Sequence, residues 1–261
     1  MDEKLINASK NGNLETVMQL LENGADVHTW HDFALCTASF RGHLEIVKLL
    51  LEKGADIHAD GDSALRRSVE NGHLEIAKLL LEKGANIHVY HNYELRIAAE
   101  NGNLETVKLL IEKGADIDAY YDYAIRYASR NGHLEIVKIL VEKGANIHAW
   151  GDEALYSAAG RGHVEIVKFL LEKGADVHGS NDEALKIASE NGYLEIVKLL
   201  LAAKANIDVV SDRLLRLIIE NGHLEVKKLL LTARAEAHIA DNKSLYTHLK
   251  RTAKVHNFVK N

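Results

Sequence analysis

The stretch GHLEIAKLLLEKGANIHV, residues 72–89, decides the fold because near copies of it recur along almost the whole chain. Its opening glycine returns at an unbroken interval of 30 residues, from Gly12 to Gly222. A fixed period of this size is typical of a solenoid, in which each unit buries its apolar face by stacking on its neighbours. We therefore expect eight units in residues 1–240, the first (1–30) a capping unit, and a partial ninth unit in 241–261 as the C-terminal cap.

Each unit encodes two helices and a connecting turn. In the unit that starts at Gly61, Asp62 stands where its carboxylate can cap a first helix over about residues 63–70. Leu65 followed by Ser68 gives this helix an apolar side with a small residue, which admits close packing of another helix. The quoted stretch then supplies a glycine stop, a second helix that is apolar on most of its circumference, and a second glycine stop.

The quoted stretch resembles the second half of an ankyrin repeat, and the resemblance extends over all eight units. It implies an all-α solenoid of stacked antiparallel helix pairs that binds other proteins without catalysis. Two departures are visible. The family's usual Thr-Pro-Leu-His signature appears as Ser63-Ala64-Leu65-Arg66, and the unit has 30 residues where the usual ankyrin period is about 33.

The missing residues fall in the β-hairpin finger, which is therefore expected to be shortened. Such fingers are similar to those of ankyrin proteins from giant viruses of amoebae. This resemblance implies a viral protein engaged in host–virus interaction. Adaptors for host ubiquitin ligases occur among similar viral proteins, and that role is left open here.

Positions that vary between units carry the functional signal, because stacking accounts for the repeated ones. Aromatic residues cluster in the fingers and at the starts of the first helices, within the first five units. Aromatic side chains at the tips of a rigid scaffold are typical of protein-binding hot spots, with mutual stacking as the alternative explanation. The predicted partner-binding aromatics are Trp30, Phe33, Tyr90, Tyr93, Tyr120, Tyr121, Tyr123 and Trp150.

One position of the first helix is basic in successive units, at Arg66, Arg96 and Arg126. At the spacing of packed helices, about 10 Å, these residues would form a ladder of positive charge for an acidic or phosphorylated partner. The alternative is an ion pair within each helix, with Glu70 or Glu100 one turn further on. We include the three arginines in the predicted partner-binding site.

Composition narrows the function classes. The chain has 32 Lys and Arg against 38 Asp and Glu, a net charge of −6, which disfavours nucleic-acid binding. A single cysteine, Cys36, allows no intramolecular disulfide and is typical of a reducing compartment. Neither a secretory signal nor a membrane span is visible. We expect an intracellular, cytoplasmic protein, in the host cytoplasm if it is viral.

No pattern of residues indicates catalysis, a cofactor or a metal. Histidines recur in two series, one with His43 and one with His28, but members of a series lie a whole unit apart, too far to share a metal ion. Asp118 and Asn103 substitute within these series, which favours local hydrogen bonds. Cys36 has no base and oxyanion donor arranged with it and is expected to be a buried thiol.

The sequence therefore predicts a non-enzymatic protein–protein interaction scaffold. It would bind an unidentified protein, such as a host protein, through a concave surface of fingers and first helices. An architectural or self-assembling viral component is the alternative, and nucleic-acid binding is the third hypothesis. We expect a monomer, whereas the architectural alternative requires self-association.

Overall fold

The structure is a computed structural model that describes residues 1–239, so the predicted cap at 241–261 lies outside the described residues. This part of the chain is helical, with one short 3₁₀ helix at Ile207–Val209 and no strand. Within the described residues the chain forms two compact units, one over Met1–Ala149 and a second that begins at Trp150. The helices are α1 Asp2–Asn11, α2 Leu14–Glu22, α3 Thr29–Arg41, α4 Leu44–Glu52, α5 Ala59–Glu70, α6 Leu74–Glu82, α7 Tyr93–Asn101, α8 Leu104–Glu112, α9 Ala119–Arg130, α10 Leu134–Glu142, α11 Ala149–Arg161, α12 Val164–Glu172, α13 Gly179–Glu190, α14 Leu194–Ala202 and α15 Asp212–Glu220. Residues 224–239 are also helical.

Helices of the first compact unit alternate between two layers. Each odd-numbered helix from α1 to α7 packs against the next odd-numbered helix, and each from α1 to α9 packs against the even-numbered helix that follows it in the chain. The even-numbered helices α2 to α10 contact one another in the same order. In the second compact unit, α12 packs against α14, and α13 packs against both α14 and α15. These stacked helix pairs confirm the predicted all-α architecture.

The apolar side predicted for the odd-numbered helices is buried. On α5, Leu65 and Ser68 have no exposed surface, and the Ser68 hydroxyl donates a hydrogen bond to the Leu65 carbonyl at 2.7 Å. Small side chains at the second position let neighbouring helices approach closely, so the core is thin and continuous within each stack. The equivalent residues, each 1 % exposed or less, are Leu35, Ala38, Leu95, Ala98, Ile125, Ala128, Leu155, Ala158, Leu185 and Ala188.

The even-numbered helices are not buried on all sides, although their sequence is apolar on most of the circumference. Ile76 and Leu80 of α6 are buried, but Leu74 and Leu79 are only half-buried. The helices packed against α6 are α4, α5 and α8, which leave one side of it open. The even-numbered helices therefore form an outer layer.

The finger between successive helix pairs is a single left-handed turn. Tyr120, Tyr121 and Asp122 have φ of 55°, 60° and 57°, and the same three positions are left-handed in every finger from Trp30 to Asp182. Where a β-hairpin finger was expected in shortened form, no strand remains in residues 1–239. A unit that is about three residues short has too few residues here for two paired strands.

The aspartate expected to cap its own helix instead joins the left-handed turn before a helix pair to the loop after that pair. Asp62 is buried, and its Oδ1 accepts a hydrogen bond from the backbone N–H of Asn86 at 2.8 Å. This aspartate therefore caps the loop that follows α6, which holds the two ends of one unit together. The same contact, always across 24 residues, joins Asp2 to Asp26, Asp32 to Asp56, Asn92 to Asp116, Asp122 to Asn146, Asp152 to Asp176 and Asp182 to Asn206.

We expect Gly102→Ala to destabilise the protein more than Gly114→Ala. Both glycines have positive φ, 79° and 90°, which costs any other residue about 1–2 kcal/mol. A Cβ on Gly102 would lie 2.6 Å from Cε1 of His133, whereas a Cβ on Gly114 meets nothing within 4 Å. Displacing the His133 ring should add about 1 kcal/mol to the loss of unfolding free energy, as measured by urea denaturation. Equal losses in the two variants would show that the ring moves without cost.

Candidate partner-binding site

The predicted partner-binding aromatics divide into an exposed group and a packed group. Tyr93 and Tyr123 are half-buried. The other six expose between 43 % and 67 % of their surface. Trp150 lies in the second compact unit, and the remaining five lie in the first. The exposed residues are Trp30, Phe33, Tyr90, Tyr120, Tyr121 and Trp150.

Arg96 holds three tyrosine rings around one guanidinium group. Its Cζ lies 5.4 Å from the ring centre of Tyr93, 4.6 Å from that of Tyr120 and 5.2 Å from that of Tyr123. Its Nη2 also donates a hydrogen bond to the carbonyl of Tyr90 at 3.0 Å. Each cation–π contact is worth about 0.5–2 kcal/mol, depending on its desolvation. Arg96 therefore fixes the fingers of two successive units relative to each other.

Tyr93 and Tyr123 connect neighbouring odd-numbered helices through their hydroxyl groups. Tyr93 donates to Glu70 Oε1 at 2.9 Å, and Tyr123 donates to Glu100 Oε2 at 2.7 Å. The ring of Tyr123 also stacks on Tyr127, with centroids 3.8 Å apart. Burial, and then the bond to the glutamate, raises the pKa of both hydroxyls, so they remain proton donors at neutral pH. Contacts within the protein therefore explain why tyrosine occurs at these two positions.

The predicted ladder of positive charge is not an open row of cations. Arg66 lies over the ring of Tyr90 at 5.1 Å and within 3.7 Å of the Asp60 carboxylate. Arg126 is only 8 % exposed and lies 5.9 Å from the ring centre of Tyr127. Neighbouring rings and finger groups thus contact these arginines. Neither of the two predictions, an open ladder of charge or ion pairs within one helix, included such contacts.

Carboxylates surround the exposed rings of Tyr120 and Tyr121. Asp118 stands where other units carry a histidine, for example His28, whose Nδ1 lies 3.2 Å from Asp32. Burial, together with the adjoining Asp118 carboxyl, raises the pKa of Asp122. These groups form a pocket of about 610 Å³ that is lined by His88, His91, Asn92, Asp116, Asp118, Ala119, Tyr120, Tyr121 and Asp122.

The histidines make local hydrogen bonds, as predicted from both series. His43 Nε2 lies 3.1 Å from the carbonyl oxygen of Lys10, one unit away. No group of three or more His, Cys, Asp or Glu side chains in residues 1–239 is placed to hold a metal ion. The expectation of a buried Cys36 is wrong, since this thiol is half-buried, with Sγ 3.2 Å from Oγ of Ser63.

Sequence reasoning missed Glu94, a fully buried carboxyl group at the start of α7. It has no exposed surface, and neither carboxylate oxygen has a hydrogen-bond partner. Burial raises its pKa to about 7; Asp62 acts in the same direction, while Arg66 and Arg96 act against it. The signal was present in the sequence, because other units carry an almost fully buried alanine at this position: Ala34, Ala64, Ala124, Ala154 and Ala184.

Comparison with known proteins agrees with this architecture. The family model described as ankyrin repeats (3 copies) matches residues 5–91, 95–149 and 147–213. The crystal structure of the human ASB11 ankyrin repeat domain is similar, with 24 % identity, 76 % of this chain and 96 % of that chain covered, and a TM-score of 0.68. A search of curated proteins gave no match. Within residues 1–239, no helix has the length and apolar character needed to cross a membrane. Because the family matches extend over most of the sequence, the chain belongs to the ankyrin repeat family, whose fold is a non-enzymatic module for protein interaction.

Proposed function

We propose that this protein is a non-enzymatic scaffold that binds a partner protein through the aromatic side chains of its left-handed turns. One observation carries the proposal. Trp30, Tyr90, Tyr120 and Tyr121 expose more than half of their surface on turns whose backbone is held by buried Asp or Asn side chains. Rings on a fixed backbone lose little conformational freedom on binding, so their contact area contributes efficiently to affinity.

The packed residues of the predicted site support the exposed ones. In this proposal Arg66, Arg96 and Arg126 are positioning residues, as are Tyr93 and Tyr123. Phe33 and Trp150 are further partner contacts, in addition to the four exposed aromatic residues named above. The carboxylates beside Tyr120 and Tyr121 favour a partner that presents a cationic side chain there, since a cation gains from both the ring face and the negative charge.

We propose eight repeats in residues 1–240 with a C-terminal cap in 241–261, a monomer in the cytoplasm, and kinship with the ankyrin arrays of giant viruses, with a host protein as partner. The regular succession of helix pairs supports the repeat division. The reduction of each finger to three left-handed residues supports the kinship, because the resemblance was based on shortened fingers.

The double variant Tyr120→Ser/Tyr121→Asn tests the proposed surface with residues that the left-handed turn accepts, and it also removes the contact between Arg96 and Tyr120. Ser180 and Asn181 occupy the equivalent positions in the second compact unit with φ of 49° and 61°, so the left-handed backbone accepts these residues. We expect the immobilised variant to capture its partner from amoebal cell lysate about tenfold less well than the original chain, because two hot-spot aromatics are lost. Quantitative mass spectrometry of the captured proteins measures the difference.

A matched control is Glu105→Gln on α8, which removes an exposed charge from the outer layer. This variant is expected to capture the same proteins at the same yield as the original chain, and circular dichroism checks that both variants are folded. An unchanged set of captured proteins with Tyr120→Ser/Tyr121→Asn would rule out these tyrosines as the partner contact.

A further inference from the structure

An apolar groove lies between α1, α3 and α5, at the N-terminal end of the first compact unit. Its volume is about 500 Å³. Trp30 is 65 % exposed, Phe33 43 % and Phe40 36 %, with Ile6 buried beneath them. Groups of exposed aromatics that share one concavity are unusual on a protein surface and typically mark a binding site. The residues that line the groove include Ile6, Lys10, Trp30, Phe33, Phe40 and Arg41.

In later units of the same chain, polar side chains at the equivalent location form hydrogen bonds with each other. There a tyrosine hydroxyl bonds a glutamate of the preceding unit, as Tyr93 does with Glu70 at 2.9 Å. Two units earlier, the same two positions hold Phe33 and Lys10, which cannot form that bond. One unit earlier, the glutamate position holds Phe40. The first units therefore lack the tyrosine–glutamate bond, and the rings of Phe33 and Phe40 and the cation of Lys10 face solvent instead.

The charge of the groove is opposite to that of the chain as a whole. Lys10 and Arg41 have no carboxylate partner among the described residues; the Arg41 guanidinium lies 5.2 Å over the ring of Phe40. A third cation, Arg67, is paired with Glu70 at 3.0 Å, and Glu3 is the one carboxylate among the described lining residues. The chain carries a net charge of −6, so this cationic rim is a local feature.

We propose that this groove binds a peptide segment in which an aromatic or aliphatic side chain is flanked by carboxylates. The apolar side chain inserts between Phe33 and Phe40, where it removes exposed rings from water. The flanking carboxylates accept charge-assisted hydrogen bonds from Lys10 and Arg41. The inference rests on the proposed function, since Trp30 and Phe33 belong to the same predicted partner-binding set, and it assigns the chemistry of the partner at this end.

Selection from a random twelve-residue peptide library, displayed on phage and panned against the full chain, tests the proposal. We expect the enriched peptides to share an apolar residue flanked by Asp or Glu. The chain has one cysteine, Cys36, which lines the groove, so the bound peptide should slow its alkylation by iodoacetamide. Fluorescence anisotropy with the enriched peptide then gives its affinity for each variant.

Three variants separate the contributions. Phe40→Glu introduces the residue that Glu70 and Glu100 provide at this position in later units and is expected to weaken peptide binding at least tenfold. Lys10→Gln and Arg41→Gln should each weaken it several-fold and reduce its dependence on salt. Glu105→Gln on α8 should bind the peptide as the original chain does. Because peptide affinity is measured separately from capture of the lysate partner, failure of the groove and failure of the tyrosine surface are distinguishable.

Four results would overturn the proposal. These are the absence of any enriched peptide, enriched peptides without carboxylates, unchanged affinity in Phe40→Glu, and no protection of Cys36. A second copy of the chain as the occupant would appear as concentration-dependent dimerisation in light scattering that Phe40→Glu abolishes, and this result would also contradict a peptide ligand.

Discussion

Replacing Glu94 with alanine is expected to raise the free energy of unfolding by about 3 kcal/mol at pH 8. The folded-state pKa of about 7 lies above the ordinary value of 4.5, so ionisation of this carboxyl group opposes folding. The cost is absent below pH 4.5, where the group is protonated in both states, and it is complete above pH 7. Alanine fits the site, because other units carry a buried alanine such as Ala64 at this position.

Urea denaturation of both proteins at several pH values between 4.5 and 8 measures this effect. The histidines are the same in both chains, so the difference in unfolding free energy isolates Glu94. Glu94→Gln is the matched control, because it keeps the size of the side chain but cannot ionise; its difference from Glu94→Ala should not vary with pH. A difference between the original chain and Glu94→Ala that stays constant across this range would contradict the assignment.

The period of the sequence was sufficient to predict the helix pairs and their core. Leu65 and Ser68 are buried as expected because their burial depends only on helical spacing within one unit and on stacking of identical units. The family resemblance added the two-layer arrangement. The length of the finger was predicted as well, but not its conformation, since three consecutive left-handed residues are rare for residues other than glycine.

The side-chain partners could not be predicted because they lie far away in the sequence, at the other end of the same unit or in a neighbouring unit. Asp62 bonds a backbone group 24 residues away, and Tyr93 bonds a glutamate 23 residues away. The packing of helices within and between units decides such contacts, and a sequence pattern gives the period but not that packing. This is also why Arg96 was assigned to a partner: the three tyrosine rings around it converge only in the folded stack.

Alanine in place of Asp32 is expected to lower the free energy of unfolding by about 3 kcal/mol, from two separate causes. Asp32 is buried and left-handed, with φ of 55°, and its Oδ1 accepts the backbone N–H of Asp56 at 2.8 Å. Alanine leaves that N–H without its partner and is itself strained at positive φ. Asp32 is a better test than Asp62, because Asp62 also acts on the pKa of Glu94.

Two further variants at position 32 separate the hydrogen bond from the strain. Asp32→Asn is expected to lose less than about 1 kcal/mol, because Asn92 makes the same bond in this chain, to Asp116 N at 2.9 Å, with φ of 52°. Asp32→Gly tolerates the left-handed backbone but lacks the acceptor, so its loss should fall between those of the other two variants. Urea denaturation at pH 7 gives all three values. If Asp32→Asn were as damaging as Asp32→Ala, the negative charge facing His28, and not the bond to Asp56, would be what stabilises the turn.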